Sequence, residues 1–334
     1  MSLISVIIAA YNAEEWIKTS LTSVCEQSYS ELEIIVVDDG SRDATAEIIT
    51  NFGDPRIRLI RQANAGQSAA LNRGLQEATG SYIKFVDADD ALMPGHLEAQ
   101  IDALRDSPRC LADCHWGYFV EDKNLAKARI ETTNRNYDDP LEWLYDSLAH
   151  NEGMMGGWKW LIPKAIIAQA GGWNSQLSLN NDFEFSIRLL LHSEGVRWAD
   201  KALYAYRKNL TPTLSGTRGQ KAMASAYLTT SLGCDLLLAR ENSERIRRIC
   251  ADRYQMWLYQ FFPDFPEIAI QAEKAVHQLG GSKLRIQGGR ALQVLLPILG
   301  WKNIRRLQSF IYQYGWSAIL ARKERQRVQR IETA

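Results

Sequence analysis

The 334-residue chain shows no unbroken apolar run of bilayer-spanning length, no dinucleotide fingerprint and few cysteines, and each absence argues against a class of function. The longest nearly apolar run, residues 291–301, contains Pro297 and falls short of the roughly 20 residues a spanning helix requires, so the chain is not expected to cross a membrane. No G-x-G-x-x-G follows the first apolar run, which excludes a dinucleotide dehydrogenase. The five cysteines (Cys25, Cys110, Cys114, Cys234 and Cys250) are odd in number and scattered, as expected of free thiols in a reducing compartment. Cys110, Cys114 and His115 are close enough to suggest a metal cluster. Their period-two flanks indicate a strand with both cysteines on one face and the histidine on the other, so a core role is expected. The N-terminus has no basic region and no cleavage site ahead of its first strand, so no signal peptide is expected and the chain is assigned to the cytoplasm.

Formal net charge is zero, but its distribution is uneven. From Ser282 onward there are 11 Lys/Arg against 2 Asp/Glu, leaving 28 against 37 in the body that precedes it. A basic tail on an acidic body calls for an anionic surface as partner, and nothing in the pattern calls for nucleic acid. In the tail, Ile304, Leu307, Ile311 and Tyr314 recur at helical spacing, with Lys302, Arg306 and Gln313 opposite. Trp301 and Trp316 suit the headgroup level, and Arg322, Lys323, Arg325, Arg327 and Arg330 suit anionic lipid. The tail is therefore expected to hold the protein peripherally on the cytoplasmic face of a membrane.

Residues 5–10 (S-V-I-I-A-A) form an unbroken apolar run, as in a strand buried on both faces of a parallel sheet. Tyr11 and Asn12 follow, with Asn12 placed to cap a helix whose inner face carries Trp16, Ile17, Leu21 and Val24. Further strands are expected at 33–37, 57–60 and 81–86, separated by helices beginning near Asp43 and Gly66. This rhythm specifies a doubly wound, mostly parallel α/β sheet. Ligands bind such sheets at the carboxyl ends of the strands, where the strand order reverses. Tyr11-Asn12, Asp38-Asp39-Gly40-Ser41 and Asp87-Ala88-Asp89-Asp90 all fall at those ends. The last group ends an apolar strand in three acids, which repel one another unless a cation sits among them. With no Cys or His nearby, hard-oxygen ligands point to Mg²⁺ or Mn²⁺.

The ordered motifs V-I-I-A-A-Y-N, I-I-V-V-D-D-G-S-R-D-A-T, N-A-G-Q-S-A-A-L-N-R-G-L and Y-I-K-F-V-D-A-D-D-A-L-M-P resemble the nucleotide-binding half of family 2 glycosyltransferases of the GT-A fold. The resemblance resumes between Trp158 and Arg207, in W-K-W-L-I-P-K, G-G-W and L-N-N-D-F-E-F-S-I-R-L-L. It implies an inverting transfer of sugar from a nucleotide-diphosphate donor, most readily a UDP-sugar, to a hydroxyl of a glycan or lipid-linked acceptor. Residue by residue, it implies that Tyr11 stacks on the base, Asp39 accepts a hydrogen bond from it, Asp87 contacts ribose or sugar, and Asp89 holds the Mn²⁺ or Mg²⁺. Asp182 matches the general base. Asn12 and Ser41 belong to the same donor-binding motifs. Three positions depart from the family pattern: Ala9 stands for a frequent Pro, Leu71 for a frequent Arg, and Asn181 for the Glu that usually precedes the base.

From the residues themselves, Asp182 also suits the start of a helix, where an acid is favoured in any case. The aromatic- and glycine-rich segment 137–172, with Trp143, Tyr145, Trp158 and Trp160, is expected on the acceptor side, Trp158 presenting its ring to a sugar. Gly66 and Gly74 suggest close approach of backbone to ligand, and His150 reads as a satisfied structural histidine. Residues 209–216 read as a loop closing a catalytic domain of residues 1–216; helices are expected at 221–240, 243–262, 266–279 and 303–330. Two other functions stay open at this point: a glycoside hydrolase with paired carboxylates, for which the donor-binding residues are superfluous, and a nucleotide- or glycan-binding module with a dead site.

Overall fold

The computed structural model describes residues 2–149, 153–208, 218–286 and 290–311. His150, the 209–216 loop and the tail beyond Ile311, including Gln313, Tyr314, Trp316 and the five tail cations, lie outside the described residues. The chain divides into two compact units, Met1–Thr211 and Pro212–Ala334.

The first unit contains strands β1 (Ile4–Ala10), β2 (Leu32–Asp38), β3 (Ile57–Arg61), β4 (Tyr82–Asp87), β5 (Ala91–Leu92), β6 (Leu111–Phe119), β7 (Leu161–Pro163) and β8 (Val196–Arg207). Its helices are α1 (Ile17–Cys25), α2 (Thr45–Thr50), α3 (Gln67–Glu77), α4 (His96–Ala103), α5 (Pro140–Ala149), α6 (Lys164–Ala170) and α7 (Asn181–Leu191). All eight strands form one sheet in the order β3-β2-β1-β4-β7-β6-β8-β5. The first four pair in parallel, as the strand–helix rhythm requires. Short β7 then enters antiparallel between β4 and β6, and β6 and β8 run parallel over their length.

The apolar run of β1 is buried because its faces are covered separately. Val6, Ile8 and Ala10 share a cluster with Ile17, Leu21 and Val24 of α1. On the opposite face, α3 lies so close that a Cβ at Gly74 would fall 2.4 Å from Ile7 Cγ2. Gly74 therefore serves helix–strand packing and not, as the sequence suggested, approach to a ligand. Cys110 and Cys114 are buried as core residues, while His115 packs edge-on against Trp198 at 4.5 Å.

The second unit contains α8 (Gln220–Arg240), α9 (Glu244–Phe261), α10 (Pro266–Gln278) and α11 (Arg290–Ile311). By length and composition α8 is apolar enough to cross a membrane, contrary to the expectation that no segment would be. Its packing explains the composition: half-buried Tyr227 packs on Tyr254 and Phe261 of α9, and the buried thiols of Cys234 and Cys250 each donate to the other's backbone carbonyl. The apolar surface of α8 thus serves a helix–helix core. The fourth helix starts earlier than its periodicity indicated. Residues 290–299 are helical despite Pro297, and the chain breaks direction at Gly300, whose φ of 68° and ψ of 157° are not helical.

Candidate active site

Strand order positions the site. β2 and β3 lie on one side of β1 and β4 on the other, so the order reverses beside β1. Register places Ala10 beside Asp38 and Ala9 beside Asp87, so the three polar clusters converge on one edge of the sheet. Tyr11, at that end of β1, is 49% exposed. Asn12 and Ser41 hold one another. The N–H of Asn12 donates to Ser41 Oγ at 2.9 Å, Asn12 Oδ1 accepts from the Arg42 N–H at 2.9 Å, and the Ser41 N–H donates to Asp38 Oδ1 at 3.0 Å. Asn12 does not cap α1, which starts only at Ile17, because the Ala13 N–H is drawn to Thr45 Oγ1 and Glu14 accepts from the Ala44 N–H. These bonds join the two loops that would frame a nucleotide.

Asp39 is buried and already supplied with donors. Its Oδ1 accepts from Gln62 Nε2 at 2.7 Å and the Ala65 N–H at 2.9 Å, and its Oδ2 from the Gly66 N–H at 2.8 Å. A carboxylate offers about four lone-pair directions, so one remains for a base. Gly66 has φ of 92°, and a Cβ there would meet nothing. Its glycine is required by backbone conformation, and its amide is spent on Asp39.

Asp87, Asp89 and Asp90 end β4. Burial first, then the charges of Asp89 and Asp182, raises the Asp87 carboxyl well above the usual range; burial and the charges of Asp89 and Asp87 do the same to Asp90. Asp89 is raised by burial, with Arg207 pulling it back. Arg207 offsets the charge of the group only at a distance, its guanidinium donating to carbonyls: its Nε donates to the Asp89 backbone carbonyl at 2.8 Å, its Nη1 to the Val120 carbonyl, and its guanidinium lies over Trp16 and Phe119. The Arg207 N–H donates to Asp90 Oδ1, while Asp90 Oδ2 is buried with no hydrogen-bond partner among the described residues. Gln67 Nε2 reaches Asp87 Oδ1 at 3.2 Å.

Asp182 is the second residue of α7. Its Oδ1 accepts the Gly157 N–H at 2.7 Å. Burial lifts its pKa to about 6, against the lowering effect of that amide and its own backbone N–H. Asn181, at the place of the family's usual Glu, contacts Ser68 Oγ at 3.1 Å and Gln67 Oε1 at 3.4 Å. Gln67 thereby links Asp87 to the residue preceding Asp182.

The turn that supplies the Gly157 amide is held from behind by buried side chains. Lys84 Nζ donates to the Trp158 carbonyl at 2.7 Å and to Gln100 Oε1 at 2.9 Å, and Gln100 Nε2 donates to the Lys159 carbonyl at 2.8 Å. Burial lowers the Lys84 pKa to about 8. Lys159 points the other way, into Glu131 at 2.8 Å and Asp113 at 3.2 Å. The Trp158 ring stacks on Tyr204 at 4.2 Å and 17° and is 5% exposed. It is therefore a wall behind the crevice, not the sugar platform the sequence suggested. Trp143 and Trp160, also expected on the acceptor side, are buried edge-to-face at 4.9 Å.

Among the described residues no three His, Cys, Asp or Glu side chains form a ready-made metal site. A hard cation held by one or two carboxylates and completed by substrate phosphate needs none. Three raised carboxyls, an orphaned Asp90 Oδ2 and an arginine committed to carbonyls make this donor set fit Mn²⁺ or Mg²⁺. The sequence missed Gln67, Lys84 and Arg207 as site residues, and placed Gly157 only within the glycine-rich acceptor segment. Gln67 and Lys84 stand inside recognised motifs, and a polar residue at the start of α3 and a lysine within an apolar strand were the available signals.

Residues 5–168 match the family model described as glycosyl transferase family 2. The uncharacterized glycosyltransferase YibD of Escherichia coli K12 is 29% identical over 208 residues, 61% of this chain and 60% of that protein. The putative glycosyltransferase EpsH of Bacillus subtilis 168 is 31% identical over 216 residues, 62% of this chain and 61% of that protein. The chain thus matches about three-fifths of the length of these curated relatives. Among solved structures, Staphylococcus aureus TarS 1–349 in complex with UDP-GlcNAc superposes with a TM-score of 0.68 at 17% identity, covering 93% of this chain and 92% of that one. At that identity the likeness establishes the fold, which agrees with the sheet order and the converging strand ends. Through residues 5–168 the chain belongs to the family 2 glycosyltransferases.

Proposed function

We propose that the protein is an inverting, metal-dependent glycosyltransferase that moves a sugar from a UDP-sugar to a hydroxyl of a glycan or lipid-linked acceptor at the cytoplasmic face of a membrane. The observation that carries this reading is the gathering of Asp87, Asp89 and Asp90 at one strand end within electrostatic reach of Asp182, a carboxylate of different environment. Carboxylates whose surroundings set them apart suit different tasks. The bound UDP-GlcNAc of the TarS structure favours a uridine donor.

In this reading Tyr11 stacks on the base, the remaining lone pair of Asp39 accepts from it, and Asp87 holds the ribose or sugar. Asp89 would hold Mn²⁺ or Mg²⁺, which when bound would supply positive charge against the departing diphosphate. Asp182 accepts the proton of the acceptor hydroxyl, and its pKa of about 6 leaves it ionised near neutrality and basic enough to act. Attack from the face opposite the diphosphate inverts the anomeric carbon. The Gly157 amide fixes the aim of the carboxylate.

Melting the protein with UDP-, GDP- and dTDP-sugars in the presence of Mn²⁺ tests the donor. A ligand at a hundred times its dissociation constant adds about 2.7 kcal/mol, a readily measured rise in Tm. Stabilisation by the UDP-sugar alone, followed by Mn²⁺-dependent release of UDP, is the expected result. Stabilisation without any turnover on candidate acceptors or water would instead identify a binding module.

A further inference from the structure

The outward face of α11 matches only in part the one its sequence periodicity indicated: Leu307 is 47% exposed, as that spacing requires. Ile304 is 3% exposed and belongs to the core of the helical unit. Ahead of the break at Gly300, however, Val294, Leu295, Ile298 and Leu299 are 68, 40, 75 and 39% exposed, while Leu292 and Leu296 are half-buried. Residues 294/298 and 295/299 form adjoining i, i+4 rows, so the four aliphatic side chains make one continuous strip. No charged residue lies between Arg290 and Lys302. A surface helix of a soluble unit would turn the opposite face outward.

We infer that this strip is an insertion face for an anionic lipid surface, lying in the plane of the bilayer interface. The inference rests on the membrane reading above and goes beyond it by naming the element that enters the lipid. Ten residues of helix, at 1.5 Å each, measure about 15 Å, half a hydrocarbon core, so the segment lies on the bilayer and does not cross it. Its flanks are cationic: Lys283, Arg285 and Arg290 precede it and Lys302, Arg305 and Arg306 follow, with no Asp or Glu anywhere in 282–311. Of these, Lys302 is also paired with Glu273 of α10 at 2.7 Å. Aliphatic side chains between cations match acyl chains below and anionic headgroups above. A second copy of the chain fits poorly. Four side chains fall well short of the roughly 800 Å² per partner of a stable interface, and a two-fold contact would oppose one cationic flank with another.

The test is flotation of the full chain with vesicles of phosphatidylcholine alone or mixed with phosphatidylglycerol, in low and high salt. Two variants are compared with it: Val294→Gln/Ile298→Gln, at exposed positions where folding should be unaffected, and a tail variant with Arg322, Lys323, Arg325, Arg327 and Arg330 changed to Gln. The parent chain should float with the anionic vesicles, and part of it should stay bound in high salt, because apolar contact is not screened. The Val294/Ile298 variant should lose about ten-fold in partitioning and all of the salt-resistant part, whereas the tail variant should keep that part. Equal binding of the Val294/Ile298 variant and the parent in both salts would overturn the insertion face while leaving tail attraction standing. A parent chain that ignores the vesicles would overturn both. A parent dimer that the Val294/Ile298 variant converts to monomer would assign the strip to self-association.

Discussion

The backbone N–H of Gly157 donates to Asp182 Oδ1 at 2.7 Å, joining a turn before β7 to the first turn of α7. A side chain at Gly157 would meet the Trp173 ring at 2.5 Å and Asp182 Oδ1 at 3.3 Å, so this approach requires glycine. Burial favours the protonated acid and the amide favours the carboxylate, and their balance leaves the group near pH 6. Transfer should therefore rise with pH through an acidic limb near 6 and level off above it. A pH–rate profile with no limb between about 5 and 7 would remove Asp182 from the proton transfer.

Asp89 and Asp39 should fail differently. Asp89→Ala should abolish the metal-dependent part of donor binding. Asp39→Ala should weaken nucleotide binding with the Mn²⁺ requirement intact. It should also cost about 1–3 kcal/mol of stability, because the Ala65 and Gly66 amides lose their shared acceptor. Calorimetric titrations with and without Mn²⁺, beside thermal melts, separate the two; equal loss of metal dependence in both variants would contradict the division.

The carboxylates at the end of β4 should make the metal-free protein less stable as pH rises. Asp87, Asp89 and Asp90 are raised in the folded state, so the native chain holds these protons more tightly than the unfolded chain. Their stabilising contribution is complete below the ordinary carboxylate pKa and is lost as pH climbs through the raised values. Asp90→Asn, which keeps the Oδ1 acceptor for the Arg207 N–H, should melt higher than the parent at pH 8 and close to it near pH 4. Mn²⁺ should stabilise the parent more at the higher pH, where its ligands are ionised. An Asp90→Asn protein that melts below the parent throughout would show that the carboxylates are not in repulsion.

Lys84 should act on transfer through the Gly157 turn. Lys84→Met removes the donor to the Trp158 carbonyl and to Gln100, so the turn should loosen and Asp182 lose the amide that lowers its pKa. Donor KM should change little, kcat should fall about ten-fold or more, and the acidic limb should move to higher pH. A matched fall in kcat with an unmoved limb would reduce Lys84 to a packing role.

The parallel half of the sheet was legible because β1 and β2 are apolar on both faces and β2 and β4 end in acids, a pattern with one strong reading; the strand–helix order and the convergence of Tyr11, Asp39, Asp87 and Asp89 follow from it. Side-chain partners were not legible. Asp39 takes its donors from Gln62, Ala65 and Gly66, more than twenty residues away, and no local pattern announces that. Trp158 looked like a sugar platform because rings that stack on sugars and rings that stack on Tyr204 have the same composition. Likewise the periodicity of α11 set Ile304 and Leu307 on one outward face, whereas the packed structure buries Ile304, leaves Leu307 exposed and adds an aliphatic strip at 294–299.

The most direct measurement sets donor binding and sugar transfer side by side in Asp182→Asn. Asparagine preserves shape and can still accept the Gly157 amide, but it cannot take the acceptor's proton. With Mn²⁺ present, the variant should bind the UDP-sugar as tightly as the parent while transfer falls roughly 10²–10⁴-fold. Transfer at the parent rate with donor binding intact would contradict Asp182 as the base and, with it, the mechanism proposed for this site.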